Sequence, residues 1–160
     1  MFTRSATYIT IMTSIDQKHI QTCITLSQSC PSTETAFSVG ALLLSPSSEI
    51  LATGYSRQTG RCHAEEHCFI SLLSTNRAAE IKGATLYTTM EPCGDRKSGS
   101  KSCCDWILEL GVKRVVYAIR EPNVFIEHVR GLERLEEAGI EVVKVDGFEE
   151  ACLAPNRHIL

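Results

Sequence analysis

Apolar residues recur along the chain at two periods, and the switching between them predicts the order of elements. Ile20, Cys23, Ile24 and Ser27 follow helical spacing and define a narrow face to be buried. Ser14 and Gln17 stand at capping-box spacing and would open this helix, and Pro31 closes it from beyond. Two β-rich runs follow, "AFSVGALLLS" and "EILATGYS", joined by "PSS" as a hairpin. A helix is predicted from about His63 to Ser74, where Cys68, Phe69, Ile70, Leu72 and Leu73 make a broad apolar face at ~100° per residue. After it, "ATLYTTM" reads as a strand and "CCDWILELG" as a helix closed by Gly111. "KRVVYAI" is a strand, "NVFIEHVRGLERLEEAG" a helix ending at Gly139, and "IEVVKV" the last strand.

Strands separated by helices must run parallel, whereas the hairpin is antiparallel. The expected fold class is therefore α/β: a three-layer α/β/α domain on a mixed five-stranded sheet with one antiparallel pair. No repeat or linker divides the chain, so the expected organisation is a flexible tail over 1–14 and a single domain over 15–160. The tail, "MFTRSATYITIMTS", is hydroxyl-rich and lacks acids, but its single arginine is too few for a transit peptide.

Composition narrows the ligand class. The chain has 160 residues, 43% of them hydrophobic and 22% charged, enough to bury a core without staples. No apolar run approaches the roughly 20 residues that span a bilayer, so no membrane partner is expected. With a net charge of −3 and a pI near 6.0, the chain lacks the global basicity that phosphate neutralisation requires. A small-molecule ligand is expected, not a nucleic acid. Eight cysteines without a secretory signal point to a cytoplasmic protein whose clustered thiols serve metal or catalysis. The isolated Cys23, Cys30 and Cys152 read as small buried hydrophobes.

The candidate chemistry begins in "CHAEEHC", Cys62 to Cys68. Ala64 stands where the zinc-protease pattern H-E-x-x-H places its glutamate, so that reading fails. Helical phase puts Glu65 near the middle of the apolar face and Glu66 nearer its edge. A carboxylate on an apolar first turn is partly desolvated, which raises its pKa toward the range useful for proton transfer. A second cluster lies in "TMEPCGDRKSGSKSCCDWI", with Cys93 after a strand and Cys103 and Cys104 at the start of a helix. One histidine and two thiolates would leave the fourth zinc position open, as catalytic sites do. A structural zinc would draw a fourth ligand from Cys62, His67, Cys68 or the spare cysteine of the 103–104 pair. His67 reads as a solvent-facing helix residue and Cys68 as core.

His63-Ala64-Glu65 followed by Pro92-Cys93 and Cys103 resembles the signature of the zinc-dependent nucleobase and nucleotide deaminases. The element order is similar to that family's cytidine-deaminase-like fold. The long stretch "GDRKSGSKS" between the two cysteines, together with "TAFSVGA", "GYSR", "TLYTTMEPC" and the Arg96–Gly99 run, resembles the riboflavin-pathway pyrimidine deaminases, most of all the fungal ones. This likeness spans roughly residues 16 to 150. It implies Zn²⁺ held by His63, Cys93 and Cys103, with Cys103 selected over Cys104 because it stands ahead of Asp105. It implies Glu65 as proton carrier, and hydrolytic deamination of a phosphorylated ribitylaminopyrimidine to the uracil plus ammonia.

The same resemblance makes Ser56, Arg57, Ala64, Arg96, Lys97 and Ser98 candidates for substrate contact. In the insert, cations, glycines and hydroxyls together suit a phosphate monoester. Bacterial relatives carry an asparagine and a histidine near Ala36 and Ser56, so those contacts do not transfer. A homodimer or higher homo-oligomer is expected by family habit. A cytidine, dCMP, guanine or tRNA deaminase would share the catalytic residues, and a non-enzymatic zinc-stabilised module would share the ligands.

Overall fold

The computed structural model describes residues 3–96, 98–125 and 130–160, with side chains from residue 15 onward in those segments. Among the described residues five helices and five strands follow in the order α1 (Thr3–Ser27), β1 (Gly40–Leu44), β2 (Ile50–Tyr55), α2 (Ala64–Leu73), β3 (Thr85–Met90), α3 (Cys103–Leu110), β4 (Arg114–Ile119), α4 (Gly131–Glu137), β5 (Glu141–Lys144) and α5 (Glu149–Leu153). Short 3-10 turns follow α2 and α5. The five strands lie in the order β2-β1-β3-β4-β5. Among the described residues no helix is long and apolar enough to cross a membrane.

The expected three-layer architecture is present. α1 and α5 contact one another on one face of the sheet, and α2, α3 and α4 pack in series on the other. β3-β4 and β4-β5 pair in parallel. The sheet contains two antiparallel pairs, not one: β1 is antiparallel to β2 and also to β3. β2 and β3 do run the same way, as strands separated by a helix must, but β1 lies between them. A hairpin has two free edges, and which of them accepts the next strand is set by packing, not by connectivity.

Burial follows the layers. β1 is buried along its whole length, and β3 and β4 are buried except at their first residues, as expected of strands covered on both faces. Ile20, Cys23, Ile24 and Ser27 all face the core from α1. The closeness of that contact explains Gly40, where a Cβ would stand 1.8 Å from the Cys23 carbonyl oxygen. Cys68 and Cys152 are buried as expected, whereas Cys30 is half-buried with its Sγ 3.4 Å from the Val39 carbonyl.

Two element boundaries differ from expectation, and one helix was not expected. α1 starts at Thr3, so Ser14 is inside the helix and is not its cap; no Pro or Gly interrupts the sequence before Pro31. The helix expected over 123–139 is present only as Gly131–Glu137. Residues 123–125 form a turn after Pro122, and 126–129 lie outside the described residues. α5 and its 3-10 turn carry too short an apolar pattern to read as helix, yet Asn156 there is fully buried. Its amide accepts from Ser38 N–H at 2.6 Å and donates to the Ser38 carbonyl at 3.1 Å, tying the end of the chain to the segment before β1.

Candidate metal and proton-transfer site

β2, β3 and β4 point their carboxyl ends the same way, and the amino ends of α2 and α3 meet there. This is where open α/β sheets place their sites. His63 is the N-cap of α2, in extended backbone, and its N–H donates to the Glu66 carboxylate at 3.3 Å. Ser102 caps α3 reciprocally with Asp105: Ser102 Oγ accepts from Asp105 N at 3.1 Å, and Asp105 Oδ2 accepts from Ser102 N at 3.2 Å. That cap fixes Cys103 as the first helical residue. The loop leaving β3 docks on the same helix end, where Cys103 N–H donates to Cys93 Sγ at 3.3 Å and Cys104 N–H to the Cys93 carbonyl at 3.1 Å.

His63, Cys93 and Cys103 each direct one ligand atom inward, all within 4.8 Å of one another. His63 Nδ1 is 3.6 Å from Cys93 Sγ and 3.5 Å from Cys103 Sγ. A tetrahedral zinc with Zn–N of about 2.0–2.1 Å and Zn–S of about 2.3 Å separates N and S by about 3.6 Å. The three residues therefore fit zinc. Cys104 does not share the cluster; its Sγ lies 3.6 Å from the Pro92 carbonyl and 3.4 Å from that of Gly131. Cys93 accepts from the Cys103 thiol and amide beside His63, which pulls its thiol down to about 4. The Cys103 thiol is correspondingly pushed up, first by its hydrogen bond to Cys93 and then by burial.

Glu65 lies against this cluster at 3% exposure. Its Oε2 is 3.6 Å from Cys103 Sγ, and its Oε1 accepts from Thr88 Oγ1 at 2.9 Å. Burial raises the Glu65 pKa, opposed first by the charge of His63. The carboxylate that helical phase placed on the apolar face is thus the one beside the ligands. Glu66 points elsewhere, to an ion pair with Arg96 Nη1 at 2.8 Å.

A cavity of about 660 Å³ opens over the cluster, with His63, Glu65 and Cys93 in its lining. Ser56, Arg57, Arg96 and Ser98 also line it, while Ala64 is fully buried at the start of α2, outside that lining. Lys97 lies outside the described residues. Most of the candidate contact residues spend their polar atoms on the protein itself. Ser56 Oγ accepts from Val39 N–H at 2.9 Å. Arg57, at φ 61°, donates to the carbonyls of Pro31 and Phe37 and to Ser38 Oγ. Arg96 donates to Glu66 and to the Arg61 carbonyl, tying the insert to the loop before α2.

Sequence reasoning missed two groups on the cavity wall. Phe37 and Phe125 meet edge-to-face at 5.0 Å between centroids, and both line the cavity. Glu121 lines it as well; burial first, then the negative charge of Cys93, pushes its carboxyl up to about 7. The available signal was position, because Glu121 stands two residues after the end of β4, at the carboxyl end of the sheet.

The sequence model of the cytidine and deoxycytidylate deaminase zinc-binding region matches residues 13–119. The chain is 38% identical over 125 residues to the diaminohydroxyphosphoribosylamino-pyrimidine deaminase of Schizosaccharomyces pombe, covering 78% of this chain and 30% of that protein. It is 34% identical over 137 residues to the riboflavin biosynthesis protein RibD of Synechocystis, covering 86% of this chain and 35% of the relative. The chain thus spans about a third of the length of these curated relatives. The crystal structure of Aspergillus oryzae Rib2 deaminase in complex with DARIPP superposes with a TM-score of 0.76 at 28% identity, covering 88% of each chain.

Proposed function

The chain belongs to the family of the cytidine and deoxycytidylate deaminase zinc-binding region, and from that premise we propose that it is a hydrolytic deaminase of riboflavin biosynthesis. Its substrate in this reading is 2,5-diamino-6-(ribitylamino)pyrimidin-4-one 5'-phosphate, converted to the corresponding aminouracil plus ammonia. The observation that carries the reading is the buried Glu65 carboxylate, 3.6 Å from a sulfur of a three-ligand cluster on a cavity floor. The named activities of the S. pombe and A. oryzae relatives support the choice of pyrimidine.

When bound by His63, Cys93 and Cys103, zinc supplies the Lewis acidity that lets water act as a nucleophile near neutral pH. Glu65 takes one proton from that water as its oxygen bonds to the amine-bearing ring carbon. The carboxyl delivers this proton to the adjacent ring nitrogen. It then moves the remaining hydroxyl proton to the amine, so that the C–N bond breaks and a carbonyl and ammonia result. Thr88 keeps Oε1 occupied, leaving Oε2 on the cluster side to make these transfers. Phe37 and Phe125 offer an apolar edge for a flat ring.

The test is ammonia release from the zinc-loaded protein against a panel. The panel holds the ribitylaminopyrimidine phosphate, its ribosyl counterpart, the dephosphorylated form, cytidine, dCMP and guanine. Turnover of cytidine, dCMP or guanine with none of the diaminopyrimidines would reassign the substrate. Zinc content without any ammonia release would favour a non-enzymatic module.

Arg96 and Ser98 line the cavity from the insert, which supports a place for the substrate phosphate there. Losing a charge-assisted hydrogen bond worth roughly 1.5–3 kcal/mol corresponds to a roughly 10- to 100-fold rise in KM. Arg96→Ala is expected to show that rise with the phosphorylated substrate and little change with the dephosphorylated one. Equal damage to both would mean that Arg96, through Glu66, only supports the insert.

The reading includes a cytoplasmic homodimer or larger homo-oligomer. Ile70 and Leu73, exposed on α2 at neighbouring helical positions, support an apolar contact between copies, and sedimentation equilibrium checks it.

A further inference from the structure

The two segments that supply the sulfur ligands belong to different elements, and one side chain spans them. Arg134, on α4, donates from Nη1 to the carbonyl of Gly94, the residue that follows Cys93. From Nη2 it donates to Asp105 Oδ1 at 2.7 Å, and its Nη1 lies 3.4 Å from Ser102 Oγ. Ser102 and Asp105 are the reciprocal cap that sets Cys103 at the first position of α3. One guanidinium is therefore bonded at once to the loop of the first sulfur and to the helix start of the second.

The contact below Arg134 is equally close. A Cβ on Gly131 would stand 2.1 Å from the Pro92 carbonyl oxygen, and one on Gly94 would stand 3.1 Å from Gly131 N. Cys104 Sγ approaches both the Pro92 and Gly131 carbonyls from the α3 side. α4, the Cys93 loop and the start of α3 meet with no room for a side chain between them.

We infer that Arg134 is a positioning residue for the metal centre, holding Cys93 and Cys103 at their ligating separation before metal arrives. Its planar fork suits the task, because two donors in fixed directions reach acceptors on two segments, whereas a lysine presents one point charge. A site whose sulfurs are already spaced for the ion binds it without the cost of ordering the loop. Arg134 belongs to neither the ligand cluster nor the cavity lining and acts through Gly94, Ser102 and Asp105. The inference rests on the zinc reading of the cluster and is independent of which pyrimidine is the substrate.

The experiment measures zinc affinity by chelator competition for wild type, Arg134→Ala and Arg134→Lys. Melting of each metal-free protein and the thiolate absorption of each cobalt-substituted protein accompany it. Residues that orient metal ligands typically contribute about 10- to 100-fold in affinity, and Arg134→Ala is expected to lose that much. Its cobalt spectrum should shift while its metal-free melting temperature stays close to wild type. Arg134→Lys keeps the charge and loses the fork, so it should recover only part of the loss. If Arg134→Ala does not fold, Arg134→Lys carries the test with an expected loss of at least about threefold. Unchanged affinity in the folded variants, or a loss matched by equal destabilisation of the metal-free protein, would overturn the inference. Either result is read without substrate, so a wrong choice of pyrimidine cannot be mistaken for it.

Discussion

Glu65→Gln is expected to lower turnover by at least about 10²-fold while leaving zinc content unchanged, because a shuttled proton typically contributes ~10²–10⁴-fold. The substitution keeps the shape of the side chain and an oxygen to accept from Thr88, so the cluster should not move. It removes only the group that can take and return a proton. A second readout distinguishes this loss from disruption of the site. Burial raises the Glu65 pKa in the fold above its value in the unfolded chain. Stability tied to this group is then present at low pH and lost as the pH rises through the folded value. Glutamine has no such loss, so at mildly alkaline pH the metal-free Glu65→Gln protein should melt above the metal-free wild type. In acid the difference should shrink. Glu66→Gln weakens the Arg96 ion pair but keeps an oxygen to accept from the His63 N–H, so it should retain most activity and should not show this pH dependence. An inactive Glu66→Gln beside an active Glu65→Gln would exchange the roles of the two carboxylates.

The largest effect on metal content is expected from Cys103→Ser. Cys103 Sγ stands 3.5 Å from His63 Nδ1, and a serine hydroxyl does not ionise to replace the thiolate. The purified variant should contain little zinc and show correspondingly little turnover. Cys104 is adjacent in sequence, but one helical step turns the side chain by ~100°, toward the Pro92 and Gly131 carbonyls. Cys104→Ser can donate to the same acceptors and should keep its zinc. Metal analysis of the two purified variants decides the matter, and a zinc-free Cys104→Ser beside a zinc-loaded Cys103→Ser would reassign the ligand.

What was legible in the sequence was local. Helical spacing marked the buried stripe of α1 and the burial of Cys68, and Gly111 marks the end of α3 with its φ of 76°. The phase of α2 separated Glu65 from Glu66 before any contact was known. The insertion of β1 between β2 and β3 was not legible, because it depends on which edge of a hairpin the rest of the chain covers. Long-range polar pairing was equally hidden. Ser56, Arg57 and Arg96 look available for a ligand in sequence, yet each is bonded to a carbonyl, amide or carboxylate elsewhere in the chain. A motif indicates which side chains can do chemistry, whereas only the fold shows which are already engaged.

The amide of Asn156 extends the backbone pairing of Ser38 by one side-chain rung, and His158 Nε2 reaches the Thr33 carbonyl at 2.7 Å. Thr33, Phe37 and Val39 form part of the cavity wall, so the last turn of the chain acts as its outer brace. Local opening of that turn would free the wall along with it, making the two a single cooperative unit in the sense of native-state exchange. Amide hydrogens of Ser38 and Cys152 should therefore exchange through one shared event. Its frequency would set how often the cavity loosens enough to admit or release a molecule as large as a ribitylaminopyrimidine phosphate.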